Sequence, residues 1–132
     1  MIVDASAIVA IVLAQDDAAR IAGALEGAGT ARMSAANFLE SAIVVDASRN
    51  PVSIRQFDEF LSLAGIEVVP VSVKQARIAR QAYRDFGKGS GHPARLNFGD
   101  CFAYALAKDT GEPLLYKGDD FGHTDVKKAL AP

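Results

Sequence analysis

Cysteine occurs once in this 132-residue chain, at Cys101, and that scarcity excludes an internal disulfide framework. A lone thiol fits a reducing compartment, so a cytoplasmic protein is expected. Long apolar runs are missing too. The longest, Ala5 to Ala14, is interrupted by Ser6 and ends at Gln15-Asp16-Asp17, well short of the roughly 18 residues that a membrane span requires. No basic leader or cleavage site frames it, so a signal peptide is not expected. Repeats, low-complexity tracts and linkers are absent, which points to a single domain over residues 1–132. Half of the residues are apolar, which excludes disorder.

Several kinds of chemistry are also missing. No Gly-x-Ser-x-Gly elbow exists, which disfavours a Ser/His/Asp hydrolase. The stretch Gly87-Lys88-Gly89-Ser90-Gly91 lacks phosphate-loop spacing and follows no strand, so it reads, with His92-Pro93, as a mobile loop. His92 and His123 lie far apart without ligand spacing and read as surface histidines. Cys101, inside an apolar helix, reads as a core residue.

What is present alternates between strand and helix. Met1-Ile2-Val3 is a short buried strand that ends in Asp4, and a helix follows to Ala14 with Asp4 or Ser6 as its N-cap. A second helix covers Asp17 to Leu25, and Thr30 to Met33 is a short strand. Ser34 caps a helix to Ser48 with Leu39, Ala42, Ile43 and Ala47 on its apolar stripe, and Asn50-Pro51 ends it. Ser53 starts the next helix, with Ile54, Phe57, Leu61 and Ala64 at helical spacing.

Ile66 to Pro70 is a strand, and Ser72 with Gln75 forms a capping box for a helix to Phe86. Ala79, Ala82, Tyr83 and Phe86 make its apolar stripe. Asn97 to Asp100 opens a helix that Gly111 stops, Pro113 to Lys117 is a strand, and Thr124-Asp125 caps a final turn. Such alternation implies an α/β fold with a parallel sheet covered on both faces.

Four carboxylates fall at comparable places. Asp4 ends the first strand, Glu40 lies early in the helix after the second, Asp100 is in a first helical turn, and Asp119 leaves the last strand. On a parallel sheet all four can converge at the carboxyl edge, where ligands bind. Clustered carboxylates repel unless a cation neutralises them, and an all-oxygen set favours Mg²⁺ or Mn²⁺. Carboxylate-held ions acidify water and stabilise charge in phosphodiester hydrolysis. Each acid also has a plainer account: Asp4 as a cap, Asp100 as the acidic half of an Asn97 capping box, Glu40 as a surface residue, Asp119 as a turn former.

The charge balance of −2 is not uniform. Lys74, Arg77, Arg80, Arg84, Lys88 and Arg95 face only one acid, Asp85, across their span. A polyanionic partner or a solvated helix face both fit such a run.

Ile2-Val3-Asp4-Ala5-Ser6-Ala7 resembles the opening of PIN domains, the VapC-type toxins in particular. So do Ala36-Asn37-Phe38-Leu39-Glu40, Leu96-Asn97-Phe98-Gly99-Asp100-Cys101 with its continuation to Ala107, and Leu114-Leu115-Tyr116-Lys117-Gly118-Asp119-Asp120-Phe121. The match runs end to end in the family's order.

The resemblance implies a three-layer α/β/α PIN-like fold and a Mg²⁺- or Mn²⁺-dependent endoribonuclease. It also implies a VapB-type antitoxin as partner, and a homodimer. Asp4 and Asp100 match the principal metal ligands, Glu40 the second acid, and Asp119 the fourth, with Asp120 adjacent. Ser6 matches a hydroxyl that orients the first aspartate or a water. On this reading Arg77, Arg80, Arg84, Lys88 and Arg95 contact RNA, and cleavage leaves a 5′-phosphate. A groove between Ile8, Val12 and the Ser53–Ala64 helix suits an amphipathic antitoxin helix. Three other readings fit worse. A haloacid-dehalogenase-type phosphatase requires a second aspartate where Ser6 stands. A phospho-receiver requires an aspartate pair that is not evident. A non-catalytic RNA- or antitoxin-binding module differs from the nuclease only in turnover.

Overall fold

The computed structural model describes residues 1–130, and in them four parallel strands form one sheet. In chain order the elements are β1 (Ile2–Val3), α1 (Ala5–Val12), α2 (Ala18–Glu26), β2 (Ala31–Ser34), α3 (Ala35–Ala47) and α4 (Pro51–Leu63). Then come β3 (Ile66–Val69), α5 (Val73–Phe86), α6 (Phe98–Thr110), β4 (Leu114–Leu115) and a 3₁₀ turn over Asp120–His123. The strand order is β3-β2-β1-β4. The chain winds outward from β1 through β2 to β3, then crosses to the other side of β1. That reversal puts a topological switch point between β1 and β4, where their carboxyl ends open a crevice.

Two cores follow from the two-residue period of the strands. Ile2 and Leu114 face one side, with Ala79, Leu96, Ala103 and Leu106 from α5, α6 and the segment before α6. Val3 and Leu115 face the other, with Ile8, Ile21, Met33, Val45 and Phe57. The expected three layers are therefore present: α1 to α4 on one face, α5 and α6 on the other.

Local sequence sets the helix starts. Asp4 caps α1 by accepting the Ser6 N–H, and Ser34 caps α3 by accepting from Ala36. Three expectations need correction here. Asn50-Pro51 does not end a helix but begins one: the Asn50 side chain accepts from Val52 and Ser53, and Pro51 takes the first helical position, where its missing N–H costs nothing. Ser72 caps α5 through the Gln75 N–H, yet Gln75 turns its amide to Asp109 at 3.1 Å rather than back to Ser72. The last turn starts at Asp120, not at Thr124, which ends it, and beyond it Ala129 donates to the Leu114 carbonyl.

The largest departure is the rotation of α3. Leu39 and Ile43 are each 58% exposed, while Asn37, Ser41 and Val45 face inward. Ser41 is satisfied within its own helix, donating to the Asn37 and Phe38 carbonyls at 2.8 and 2.9 Å. The inward face of α3 is thus polar at its amino end, where it meets α6. Of the expected stripe of Leu39, Ala42, Ile43 and Ala47, only Ala42 packs against the core.

The Gly87–Pro93 loop is likewise more constrained than its composition suggests. Lys88 donates to the Leu96 carbonyl and Leu96 to that of Phe86, which closes the loop at its base. His92 accepts from the Ala94 N–H through Nδ1 and packs edge-on against Phe86 at 4.9 Å. Cys101 is buried, as expected.

Candidate metal centre

Asp4 leaves β1 at the switch point and is buried, with 3% of its surface exposed. One carboxylate oxygen accepts the Ser6 N–H at 3.0 Å, while Oδ1 is buried without a hydrogen-bond partner. Leaving such an atom unsatisfied costs about 1–3 kcal/mol, so the orphaned carboxylate oxygen has its lone pairs available to a cation or a water. Burial is the main cause that raises the Asp4 pKa from 3.8 to about 7, against the Ser6 hydrogen bonds; the charges of Asp100 and Glu40 push it the same way as burial.

Asp100 repeats the pattern one element away. It completes a capping box with Asn97: its own N–H goes to Asn97 Oδ1 at 2.9 Å, and its Oδ2 accepts the Asn97 N–H at 2.9 Å. The capping role and a ligand role are compatible, since the box uses only Oδ2. Burial raises Asp100 to about 6, opposed by the Asn97 hydrogen bond; Asp120 and Glu40 raise it further and Lys88 lowers it.

Glu40 reaches toward the same place from α3. Its Oε1 accepts from Asn37 Nδ2 at 3.1 Å, and the same amide nitrogen donates to the Gly99 carbonyl at 2.9 Å. Asn37 is fully buried and its Oδ1 is the second orphaned polar atom. Asn37 and Gly99 therefore set the position of Glu40. Neither was picked out from the sequence. The signal was there in an asparagine three residues before the glutamate, on what proves to be the inward side of α3.

Ser6 ties the two strand exits together. Its backbone N–H and its hydroxyl serve Asp4, and its Oγ accepts the Lys117 N–H at 2.9 Å. Lys117 itself reaches away to Gln15 at 2.9 Å.

The two acids of the last loop, left as alternatives by the sequence, have different surroundings. Asp120, at the start of the 3₁₀ turn, is the acid of the last loop whose charge acts on Asp100. Asp119 lines a separate cavity of about 320 Å³ with Arg20, Tyr116, Lys117, His123 and Lys128, where burial, and after it the Asp119 charge, raises the Tyr116 pKa.

Among the described residues, no three Asp, Glu, His or Cys side chains already stand together as a ready-made metal cage. The donor set nonetheless suits a hard divalent cation: carboxylate oxygens, one of them orphaned, on two acids whose pKa values burial, and after it neighbouring negative charge, raises to about 7 and about 6.

The basic run comes near this centre at Lys88. Arg77, Arg80, Arg84, Lys88 and Arg95 are exposed, and none of them forms an ion pair among the described residues. Lys74 does, holding Asp109 at 2.8 Å. Lys88 is close enough to the acids to act on Asp100.

The chain matches the family model of the PIN domain over residues 1–127. Ribonuclease VapC28 of Mycobacterium tuberculosis is 59% identical over 130 residues, which cover 98% of each chain. Ribonuclease VapC42 of the same species is 53% identical over 129 residues, again 98% of each. Among solved structures, the fold is similar to that of Mycobacterium tuberculosis VapC20, described as a Sarcin-Ricin loop cleaving toxin. The TM-score is 0.76 at 14% identity, over 99% of this chain and 98% of that one.

Proposed function

The chain belongs to the PIN-domain family, among the VapC ribonucleases, and from that premise we propose that it is a toxin of a type II toxin–antitoxin pair that acts as a metal-dependent endoribonuclease. The observation that carries the proposal is the orphaned, buried Oδ1 of Asp4 at the switch point, facing the charges of Asp100 and Glu40.

Asp4 and Asp100 are the residues that would hold Mg²⁺ or Mn²⁺, with Glu40 and Asp120 in support and Asp119 as the alternative fourth acid. When bound, such an ion neutralises this cluster and supplies Lewis acidity at the scissile phosphate. The chain's own residues prepare the place. Ser6 fixes the Asp4 carboxylate by a backbone N–H and a hydroxyl, and its tie to Lys117 keeps the two strand exits in register. Asn37 holds Glu40 against the start of α6. Near pH 7 Asp4 and Asp100 must lose protons before they can serve as ligands, so loading competes with protonation.

RNA is the proposed substrate. Arg77, Arg80, Arg84, Lys88 and Arg95 supply a cationic approach for its backbone. The proposed partner is a VapB-type antitoxin. A shallow apolar groove lined by Ile11, Val12, Phe60 and Leu63 offers a place for one of its helices, and Leu63 is 87% exposed there. Ile8, expected in that groove, is fully buried in the core instead. No described helix is long and apolar enough to cross a membrane. A single cytoplasmic domain acting as a homodimer completes the reading.

The test is cleavage of end-labelled single-stranded RNA with Mg²⁺ or Mn²⁺, with EDTA, and with Asp4→Asn. Metal-dependent cleavage that Asp4→Asn reduces by at least about a thousandfold is expected. Cleavage that survives EDTA, or that Asp4→Asn leaves intact, sinks the metallonuclease reading.

A further inference from the structure

Phe98 is 78% exposed although it occupies the first position of α6, two residues before Asp100. Its ring meets Phe102 edge-on, with centroids 4.9 Å apart at 84°. Together with Arg80, Tyr83, Cys101 and Phe102 it lines a cleft of about 270 Å³ between α5 and α6. Tyr83 is 44% exposed there, against the sequence expectation that it belongs to the core stripe of α5. The cleft is therefore an apolar slot with an aromatic face on one wall and a guanidinium on another.

Three features together select its occupant. The cleft is smaller than the ~300 Å³ lower end of pockets that enclose a whole drug-sized ligand, so it fits a flat ring rather than a complete cofactor. Arg80 lines the cleft, and Arg77 and Arg84 are exposed one turn away on the same helix, which favours a ligand with an anionic backbone. Phe98 and Asp100 share the first turn of α6, about 3 Å apart along the axis and on different sides of the helix, so a strand with a base in the cleft can cross the amino end of α6 to the carboxylate centre.

We infer that the cleft between α5 and α6 is a stacking site for an unpaired base of the RNA substrate, with Phe98 as its platform and Arg80 and Tyr83 as its walls. The inference rests on the reading of RNA as substrate and deepens it. A base inserted here has to be unstacked from its neighbours, which a single strand allows and a duplex resists. The site thus selects single strands through base exposure, whereas the arginines act on any phosphate backbone.

The test measures binding by fluorescence anisotropy in EDTA, so that cleavage plays no part. The probes are a single-stranded RNA of roughly ten nucleotides and the same backbone with abasic riboses. Wild-type protein is expected to prefer the base-bearing strand by about tenfold, and Phe98→Ala to abolish that preference. Phe98→Trp is expected to restore it. The preference should persist when salt is raised, while overall affinity falls.

An unchanged preference in Phe98→Ala overturns the inference. So does a Phe98→Ala variant whose only change is a lower sedimenting mass, which would make the cleft a contact between copies of the chain. The two readings fail separately. Protein that stacks bases but never cuts RNA under Mg²⁺ or Mn²⁺ loses the nuclease reading and keeps the stacking site. Protein that cuts while Phe98→Ala keeps its preference loses only the stacking site, and protein that binds neither strand loses both.

Discussion

The Glu40 carboxylate occupies the space that any side chain on Gly99 would need. A Cβ placed on Gly99 falls 1.9 Å from Glu40 Oε2. Gly99 does not adopt a left-handed conformation, so the requirement is one of space and not of backbone freedom. Asn37 closes the arrangement by donating to both the Glu40 carboxylate and the Gly99 carbonyl. In Asn97-Phe98-Gly99-Asp100, the asparagine thus starts the helix, the glycine makes room for a carboxylate from α3, and the aspartate faces it.

Gly99→Ala should therefore injure the site without injuring the fold. Within a helix alanine is preferred over glycine by up to about 1 kcal/mol, and the obstructing atoms belong to the end of a flexible side chain that can swing away. Thermal denaturation in EDTA is expected to shift by no more than a few degrees. Mn²⁺ affinity by titration calorimetry is expected to fall about tenfold or more, as for other residues that orient a ligand. Equal Mn²⁺ affinity in variant and wild type would show that Glu40's placement is immaterial to metal binding.

The sequence revealed most of this arrangement unevenly. Strand alternation and turn residues located every strand, and the ends of most helices followed from Asp4, Ser34, Asn97 and Gly111, because a cap is a local contact. What escaped depended on contacts distant in sequence. The rotation of α3 is set by Asn37 and Glu40 meeting Gly99, 62 residues from Asn37, and no periodicity within α3 reports it. The different surroundings of Asp119 and Asp120 follow from a 3₁₀ turn that begins at Asp120, for which no side-chain cap exists to mark the start.

The raised acids make a prediction about pH. Asp4 has a folded pKa near 7 against an unfolded value near 3.8, and Asp100 one near 6. Between those values the folded state binds protons that the unfolded state has lost, so stability must fall as pH rises. The loss begins above about pH 4 and is complete somewhat above pH 7, and for Asp4 it amounts to roughly 4 kcal/mol. In EDTA, melting temperature is expected to drop steadily from pH 5 to pH 8. Asp4→Asn should flatten that slope, and Mg²⁺ or Mn²⁺ should recover most of the loss at pH 8. A wild-type melting temperature that rises across this range in EDTA contradicts the burial of an uncompensated carboxylate.

Adjacent aspartates should behave unequally. Asp120 acts on Asp100, whereas Asp119 belongs to the cavity with Tyr116 and Lys128. Asp120→Asn is expected to lower cleavage at limiting Mg²⁺ by about tenfold or more, with part of the loss recovered at high Mg²⁺. Asp119→Asn should remain within about threefold of wild type at either concentration. The reverse ranking, measured as initial rate against Mg²⁺ concentration, would return Asp119 to the site and require the turn to open when metal binds.

The basic face is tested by salt. Each phosphate neutralised on a single strand contributes about 0.7 to the slope of log affinity against log salt, so five cations in contact give a slope of about −3.5. Ala substitution at Arg77, Arg80 or Arg84 should each reduce its magnitude by about 0.7. Lys74 is the internal control, because it is already paired with Asp109 at 2.8 Å, and Lys74→Ala should leave the slope as it was. Lys88 carries a second consequence. Its charge lowers the Asp100 pKa, so Lys88→Ala should reduce the slope and also move the acidic limb of the pH–rate profile upward. A slope that no arginine variant alters would remove α5 from the RNA-binding surface, and a Lys88→Ala profile that stays in place would leave Lys88 only its backbone contact.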